Sequence, residues 1–334
     1  GTGGPSYPQI LSDNDANGLP IPWSALSGMV AAPGYGKKLL AVWDSFYAQS
    51  AILTIDASQQ PAKIIGSLPI TGGTGNFDPE GIDVAPDGTY WIASEGNGSG
   101  SRKNRLLQVD EQGVVIAEIG LPDEIEACRA ASTNRQGISG GFEGIAVMPR
   151  SWSWRGKGRD YVLLIAQQRG WDYTTSECED LDDDQLGLKE DGEPKATRIW
   201  IYDPQTGEWD HVAYELAAEP ADAAWVGLSE ITKVPGGFVV LERDNRTGDW
   251  TELKTLVNFN GWDAKDGFIA QSEKRVYDML PDLRSTNGWI TDKPEGVAVT
   301  RDGSVYVVTD NDGVDDWSGE TWFFRAGNLW KMFW

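Results

Sequence analysis

The chain has little of what the commonest metal and nucleophile sites are made from: one histidine, two cysteines and four methionines in 334 residues. With His211 as the single imidazole, a zinc centre of the usual His and Cys ligands has too few donors. Basic residues are also sparse, 28 Lys and Arg against 51 Asp and Glu, for a formal charge of −23. That balance argues against a nucleic acid or an anionic membrane as partner. No apolar run is long enough to span a bilayer. Sustained helical periodicity is missing as well. The opening Gly1-Thr2-Gly3-Gly4 reads as a trimmed start, which leaves the precursor's leader open.

What the chain does have is repetition. Pro79-Glu80-Gly81-Ile82, Phe142-Glu143-Gly144-Ile145 and Pro294-Glu295-Gly296-Val297 are three copies of one phrase. Leu228-Ser229-Glu230-Ile231 and Leu26-Ser27-Gly28-Met29 are degenerate copies. Each opens a strand that leads to a turn and a second strand, as in Pro86-Asp87-Gly88 and Arg301-Asp302-Gly303. Asp-Gly between β-branched and aromatic runs is a hairpin signal. Regular spacing of such units predicts a radial array. The expected fold is all-β: a single β-propeller over residues 1–334, with five blades and six as the alternative. Its blades are expected to be four-stranded and antiparallel, closed by pairing between the chain's two ends. An acidic insertion at about 172–195 reads as a solvated surface loop. The 16 Trp are expected to pack mainly between blades.

Residues before the first strand and after the second of each blade should meet on one face. That pairs Ser27 with Asp44, Glu80 with Glu95, Glu143 with Gln168, Glu230 with Glu242, and Glu295 with Asp310. So many carboxylates at one mouth cannot all stay ionised without compensation. Three readings stand open. A hard cation such as Ca²⁺ neutralises them, with Glu80, Glu143, Glu295 and Asp44 as ligands. Alternatively Glu80, Glu143, Glu230 and Glu295 supply acid and base catalysts, or each carboxylate clips its strand to the next blade. Arg169 and Arg243 fall beside these loops, with Arg102, Arg246 and Lys293. They are candidates for binding a substrate oxyanion, together with Glu95, Glu242 and Asp310.

Asp13-Asn14-Asp15-Ala16-Asn17-Gly18 matches the first half of an EF-hand loop, but Ser24 stands where the twelfth-position Glu belongs. Asp13, Asp15 and Asn17 are therefore candidates for a Ca²⁺ loop without helices. Gly137-Ile138-Ser139-Gly140-Gly141 matches G-x-S-x-G literally, yet it leads into a strand and lacks a paired histidine. Cys128 and Cys178 lie in polar, loop-like stretches and are expected to form a disulfide, with free thiols as the alternative.

The order of these phrases resembles the family known as esterase-like activity of phytase. The residues that carry the likeness are Leu26-Ser27-Gly28, Pro79-Glu80-Gly81, Gly141-Phe142-Glu143-Gly144, Val240-Leu241-Glu242-Arg243-Asp244, Pro294-Glu295-Gly296 and Thr309-Asp310-Asn311-Asp312. The resemblance implies a propeller-like, exported bacterial protein, secreted or periplasmic, that hydrolyses phosphoesters or simple esters. A small-molecule substrate and a monomer are expected. The competing class is a non-catalytic propeller that binds a protein or glycan at the cell surface.

Overall fold

The computed structural model describes residues 10–334 except 35, 46–47, 98–99, 132–139, 150–159, 172–195, 222, 224, 261–266, 286–292 and 311–320. The acidic insertion, Ser139 and Cys178 thus lie outside the described residues.

Five small sheets follow one another along the chain. Blade 1 holds β1 (Ile10–Ser12), β2 (Leu26–Ala31), β3 (Lys38–Trp43), β4 (Ala51–Asp56) and β5 (Ala62–Pro69). Blade 2 holds β6 (Pro79–Val84), β7 (Tyr90–Ser94), β8 (Arg105–Val109) and β9 (Val115–Gly120). After helix α1 (Asp123–Ala131) comes blade 3, with β10 (Phe142–Pro149), β11 (Tyr161–Gln167), β12 (Ala196–Tyr202) and β13 (Trp209–Glu215). Blade 4 contains β14 (Val226–Val234), β15 (Gly237–Asp244) and β16 (Lys254–Phe259). Then β17 (Phe268–Ile269) returns to pair with β13, and β18 (Arg275–Asp278) completes blade 4. Short helix α2 (Leu280–Arg284) leads to blade 5, β19 (Lys293–Val299), β20 (Ser304–Asp310) and β21 (Phe323–Asn328), and α3 (Leu329–Phe333) ends the chain.

The chain is an all-β, five-bladed propeller. Among the described residues the blades carry five, four, five, four and three strands. Strand β1 pairs in parallel with β5 of its own blade, and the residues before Ile10 lie outside the described residues. Side-chain packing joins blade 5 to blade 1. Ala298, Tyr306, Val308 and Phe323 of blade 5 join Leu26, Met29, Ala41 and Leu53 of blade 1 in one buried cluster. Four further clusters fill the other interfaces. Alternating strand residues give every blade two apolar faces, and the ring buries both against its neighbours. Trp91, Trp171 and Trp200 are fully buried in the packing of blades 2 and 3, as expected for large flat rings.

The repeated phrase is a β-bulge in each innermost strand. The register slips between Leu26 and Met29, Pro79 and Gly81, Phe142 and Ile145, Leu228 and Glu230, and Pro294 and Gly296. A bulge adds one residue and re-aims its side chain. The glycine that follows has a packing reason. A Cβ on Gly81 would stand 2.6 Å from Glu143 O, and one on Gly28 would stand 2.4 Å from Glu80 O. Gly296 likewise sits against Ser27 O. Neighbouring inner strands approach so closely at the axis that a side chain does not fit.

Candidate functional site

These bulges set which side chains reach the mouth. The bulge residue is Ser27, Glu80, Glu143, Ser229 and Glu295 in blades 1 to 5. At the end of the second strand, the residue just past the partner of the pre-bulge residue is Asp44, Glu95, Gln168, Arg243 and Asp310. The blade 4 pair expected from sequence, Glu230 with Glu242, is therefore one residue out of register at both members. A one-residue slip sends a side chain to the opposite face, and both residues go elsewhere.

Glu230 occupies the place that Gly81, Gly144 and Gly296 hold in other blades, and it plugs the central channel. Its Oε2 accepts the Met29 N–H at 3.0 Å and its Oε1 accepts the Ile231 N–H at 3.0 Å. Burial pushes its carboxyl well above the usual range. Glu242 turns into the interface of blades 3 and 4. There it accepts the Tyr214 hydroxyl at 2.9 Å and the Ala217 N–H, with Lys274 Nζ 3.7 Å away. Neither residue belongs to the mouth.

The mouth is divided by charge. Its acidic side lies on blades 2 and 3. Oxygens of Asp78, Glu80 and Glu95 all fall within 4.8 Å of one another. Asp78 was not anticipated from the sequence. It precedes the repeated phrase, at a position taken by Ala25, Gly141, Gly227 and Lys293 in the other blades, so repetition gave no signal for it. Asp78 accepts the Ser45 N–H at 2.8 Å and an N–H of Arg102. Glu80, half-buried, accepts the Ser27 hydroxyl. Glu95 accepts the Gly141 N–H at 2.9 Å. Glu143, buried, accepts an N–H of Gln168 at 2.5 Å.

Crowding shows in the acidities. Burial, then Asp78, Glu143, Glu95 and Glu295, push the Glu80 carboxyl well above its ordinary value. Burial and the neighbouring Glu95 and Glu295 do the same to Glu143, against the opposing pull of Arg243. Burial, with Asp78 beside it, raises Glu95 to about 7. Like charges out of water favour the protonated form unless a cation compensates.

The basic side is formed by Arg243 of blade 4 and by Arg169, just past β11 of blade 3. Arg243 donates from Nε to Ser229 Oγ at 2.8 Å, from Nη1 to Asp244 O at 3.3 Å, and from Nη2 to Glu295. Arg169 and Arg243 both lie over the half-buried Trp225 ring, at 4.2 and 5.1 Å from its centroid. Burial lowers Arg169 to about 10 while Glu95 and Glu143 hold its proton on. Behind Arg243, Asp244 accepts the Glu252 and Leu253 N–H groups and pairs with the buried Lys254 at 3.0 Å. Two buried acceptors in the mouth, Glu295 Oε2 and Gln168 Oε1, have no hydrogen-bond partner among the described residues. Buried acceptors in that state are sites for a ligand, an ion or a water.

The other sequence candidates lie as follows. Asp44 is half-buried, and its N–H bonds Ala25 O. Asp310 is buried at the end of β20, opposite Lys293. Asp13 forms an ion pair with Lys63 at 2.9 Å. Asp15 Oδ1 accepts the Asn17 and Leu19 N–H groups, which makes the segment a self-bonded turn. Cys128 falls on α1 rather than in a loop; its side chain, like Cys178, is outside the described residues. His211 stands on β13 with its ring 5.4 Å from that of Trp200.

Fold and mouth define a five-bladed propeller with an acidic, axially gathered site. The chain belongs to the phytase-like family, described as esterase-like activity of phytase, whose profile matches residues 21–313. No curated protein matches by sequence. Among solved structures, a putative glycoside hydrolase from Bacteroides ovatus is similar at 12% identity, over 98% of this chain and 94% of that one, with a TM-score of 0.47. The PQQ-bound aldose sugar dehydrogenase from Streptomyces coelicolor is similar at 14% identity, over 91% and 94%, with a TM-score of 0.41. No chemistry passes to this chain from likeness at that level. Among the described residues no helix is long and apolar enough to cross a membrane.

Proposed function

We propose that the mouth hydrolyses phosphoesters or simple esters with the help of a hard divalent cation, calcium by preference. The observation that carries this reading is the convergence of Asp78, Glu80 and Glu95 oxygens within 4.8 Å. The donor set fits such an ion: three carboxylates and no nitrogen or sulfur. Burial and mutual repulsion push the Glu80 and Glu95 carboxyls above their usual range, a crowding that a bound cation relieves. Bound there, a cation supplies charge neutralisation and polarises an ester or phosphoryl oxygen.

The chain's own groups do the rest. Arg243 and Arg169 hold positive charge on the opposite side, suited to a substrate oxyanion. Glu143, tied to Gln168 and flanked by Glu295, is the carboxylate placed to take a proton from water. An exported location is part of this proposal, because calcium is abundant outside the cell.

The test is a panel of phosphoesters and simple esters, with added calcium and with chelator. Chelation is expected to abolish turnover, and Glu143→Gln to cut it by about 10²-fold in a folded protein. Undiminished turnover by a folded Glu143→Gln variant sinks the catalytic assignment. Absence of turnover across the panel returns the mouth to a binding role.

A further inference from the structure

The inner strands all run in one direction along the axis, so their C-terminal ends form a second opening opposite the acidic mouth. Glu230 and its amide bonds stand between the two ends. That second opening holds a cavity of about 430 Å³ lined from all five blades. Its walls are apolar: Val30 from blade 1, Val84 from blade 2, Val147 and Pro149 from blade 3, and Val299 from blade 5. Two charged groups lie among them, Asp83 and Lys233. The size falls within the usual range for small-molecule sites, roughly 300–1,000 Å³, and few polar groups on apolar walls is their usual chemistry.

The polar groups are unequal. Asp83 is spent: Oδ1 accepts the Val84 N–H and Oδ2 the Val147 N–H, each at 2.7 Å. It ties blade 2 to blade 3 below the channel. Lys233 is half-buried, and its Nζ donates to Val147 O at 2.9 Å. An ammonium carries three N–H donors, so two remain to face the cavity. Asp83 lies close enough to Lys233 to feel its charge. The pair is therefore balanced. A ligand anion would meet the Asp83 carboxylate and a chain of net charge −23. A neutral acceptor satisfies the spare donors without that repulsion, and an apolar body covers the valine and proline walls.

We propose that this opening is a second binding site, independent of the mouth, for a small neutral carbonyl compound with an apolar body. Its oxygen accepts from Lys233, and its chain lies against Val30, Val147 and Val299.

The test uses hexanamide and hexanoate as probes, titrated against the full chain by ligand-observed NMR. Hexanamide is expected to bind with a dissociation constant of about 1 mM, as suits eight heavy atoms. Hexanoate is expected to bind at least about fivefold more weakly, because of Asp83. Lys233→Met should weaken hexanamide at least about tenfold. Val299→Trp, which fills the cavity and spares Lys233, should abolish binding in a protein that melts as the parent does. Glu143→Gln, at the other end, should bind hexanamide unchanged. No hexanamide binding at 20-fold above about 1 mM, or parent-like binding by Val299→Trp, overturns the site. Tighter binding of hexanoate overturns the neutral class, and loss of binding in Glu143→Gln moves the ligand to the mouth.

Discussion

Blades 2 and 4 begin with the same bulge and place their carboxylates at different heights on the axis. In blade 2 the bulge residue is Glu80, which looks into the mouth, and Gly81 behind it packs on the backbone of blade 3. In blade 4 the bulge residue is Ser229, which bonds Arg243, and Glu230 follows where the glycine would be. One residue of offset converts a mouth carboxylate into a channel plug. It also replaces the second-strand acid of blade 2, Glu95, by a guanidinium. The result is a mouth with an acidic half that has unmet electrostatic demand and a basic half whose side chains are knitted together. A ring of repeats thereby becomes a polarised site without any change of backbone plan.

The sharpest way to break the comparison is at the glycine. Gly81→Ala puts a methyl 2.6 Å from Glu143 O and 2.7 Å from the Gly144 Cα. Backbone cannot give way as a flexible side chain does, so the blade 2–blade 3 contact must open. We expect a loss of about 3 kcal/mol or more, or failure to fold. Gly88→Ala is the control. Gly88 has a positive φ of 88° and open space around it, so it should cost only about 1 kcal/mol from strain. Urea unfolding of both variants decides it. Equal losses would mean that close approach at the axis is not what the glycines serve.

The next effect separates mouth carboxylates from the plug by pH. The Glu95 carboxyl is raised from 4.5 to about 7. The folded chain therefore binds more protons than the unfolded chain between those values. Stability then falls as pH rises from about 4.5 to about 7, by about 3 kcal/mol for this group, and levels off above. Glu80 and Glu143 shift in the same direction. A millimolar divalent cation is expected to flatten the decline, and Glu95→Gln to remove part of it. Glu230→Gln should leave the cation response intact, because Glu230 is bonded to amides away from the mouth. Melting curves from pH 4.5 to 8, with and without calcium, test this. A slope that ignores calcium would detach the acidic half from any cation site.

How much of this was legible in the sequence follows from the same geometry. Gly81, Gly144 and Gly296 are demanded by backbone contact, so the phrase with Glu before Gly repeats and shows the ring. Blade 4 breaks the phrase, and Glu230 imitates its acid. A β-bulge leaves no mark in hydrophobic alternation, so the register of Glu230 and Glu242 was read one residue off. Asp78 stands outside the repeat. Its only signal was an acid directly before Pro79-Glu80. The packing of Tyr306 and Phe323 of blade 5 with Leu26 of blade 1 has no local signature in the sequence.

The smallest expected effect sharpens the basic half. Ser229 Oγ accepts the Arg243 Nε–H at 2.8 Å, and both residues are buried. Ser229→Ala removes that acceptor while Asp244 O and Glu295 still hold the guanidinium. The cost should be about 1 kcal/mol, the usual worth of one buried bond whose donor keeps partial solvation through its neighbours. Calcium affinity should stay within about twofold of the parent, because Ser229 lies across the mouth from Asp78, Glu80 and Glu95. Ser27→Ala is the matched change on the acidic side. It deletes the hydroxyl that bonds Glu80, costs about as much in stability, and should alter calcium affinity, since it changes the charge demand of one ligand. Calorimetric titration of both variants reads the difference. If the two serines affect calcium alike, the division of the mouth into acidic and basic halves is wrong, and the carboxylates and guanidiniums act as one mixed network.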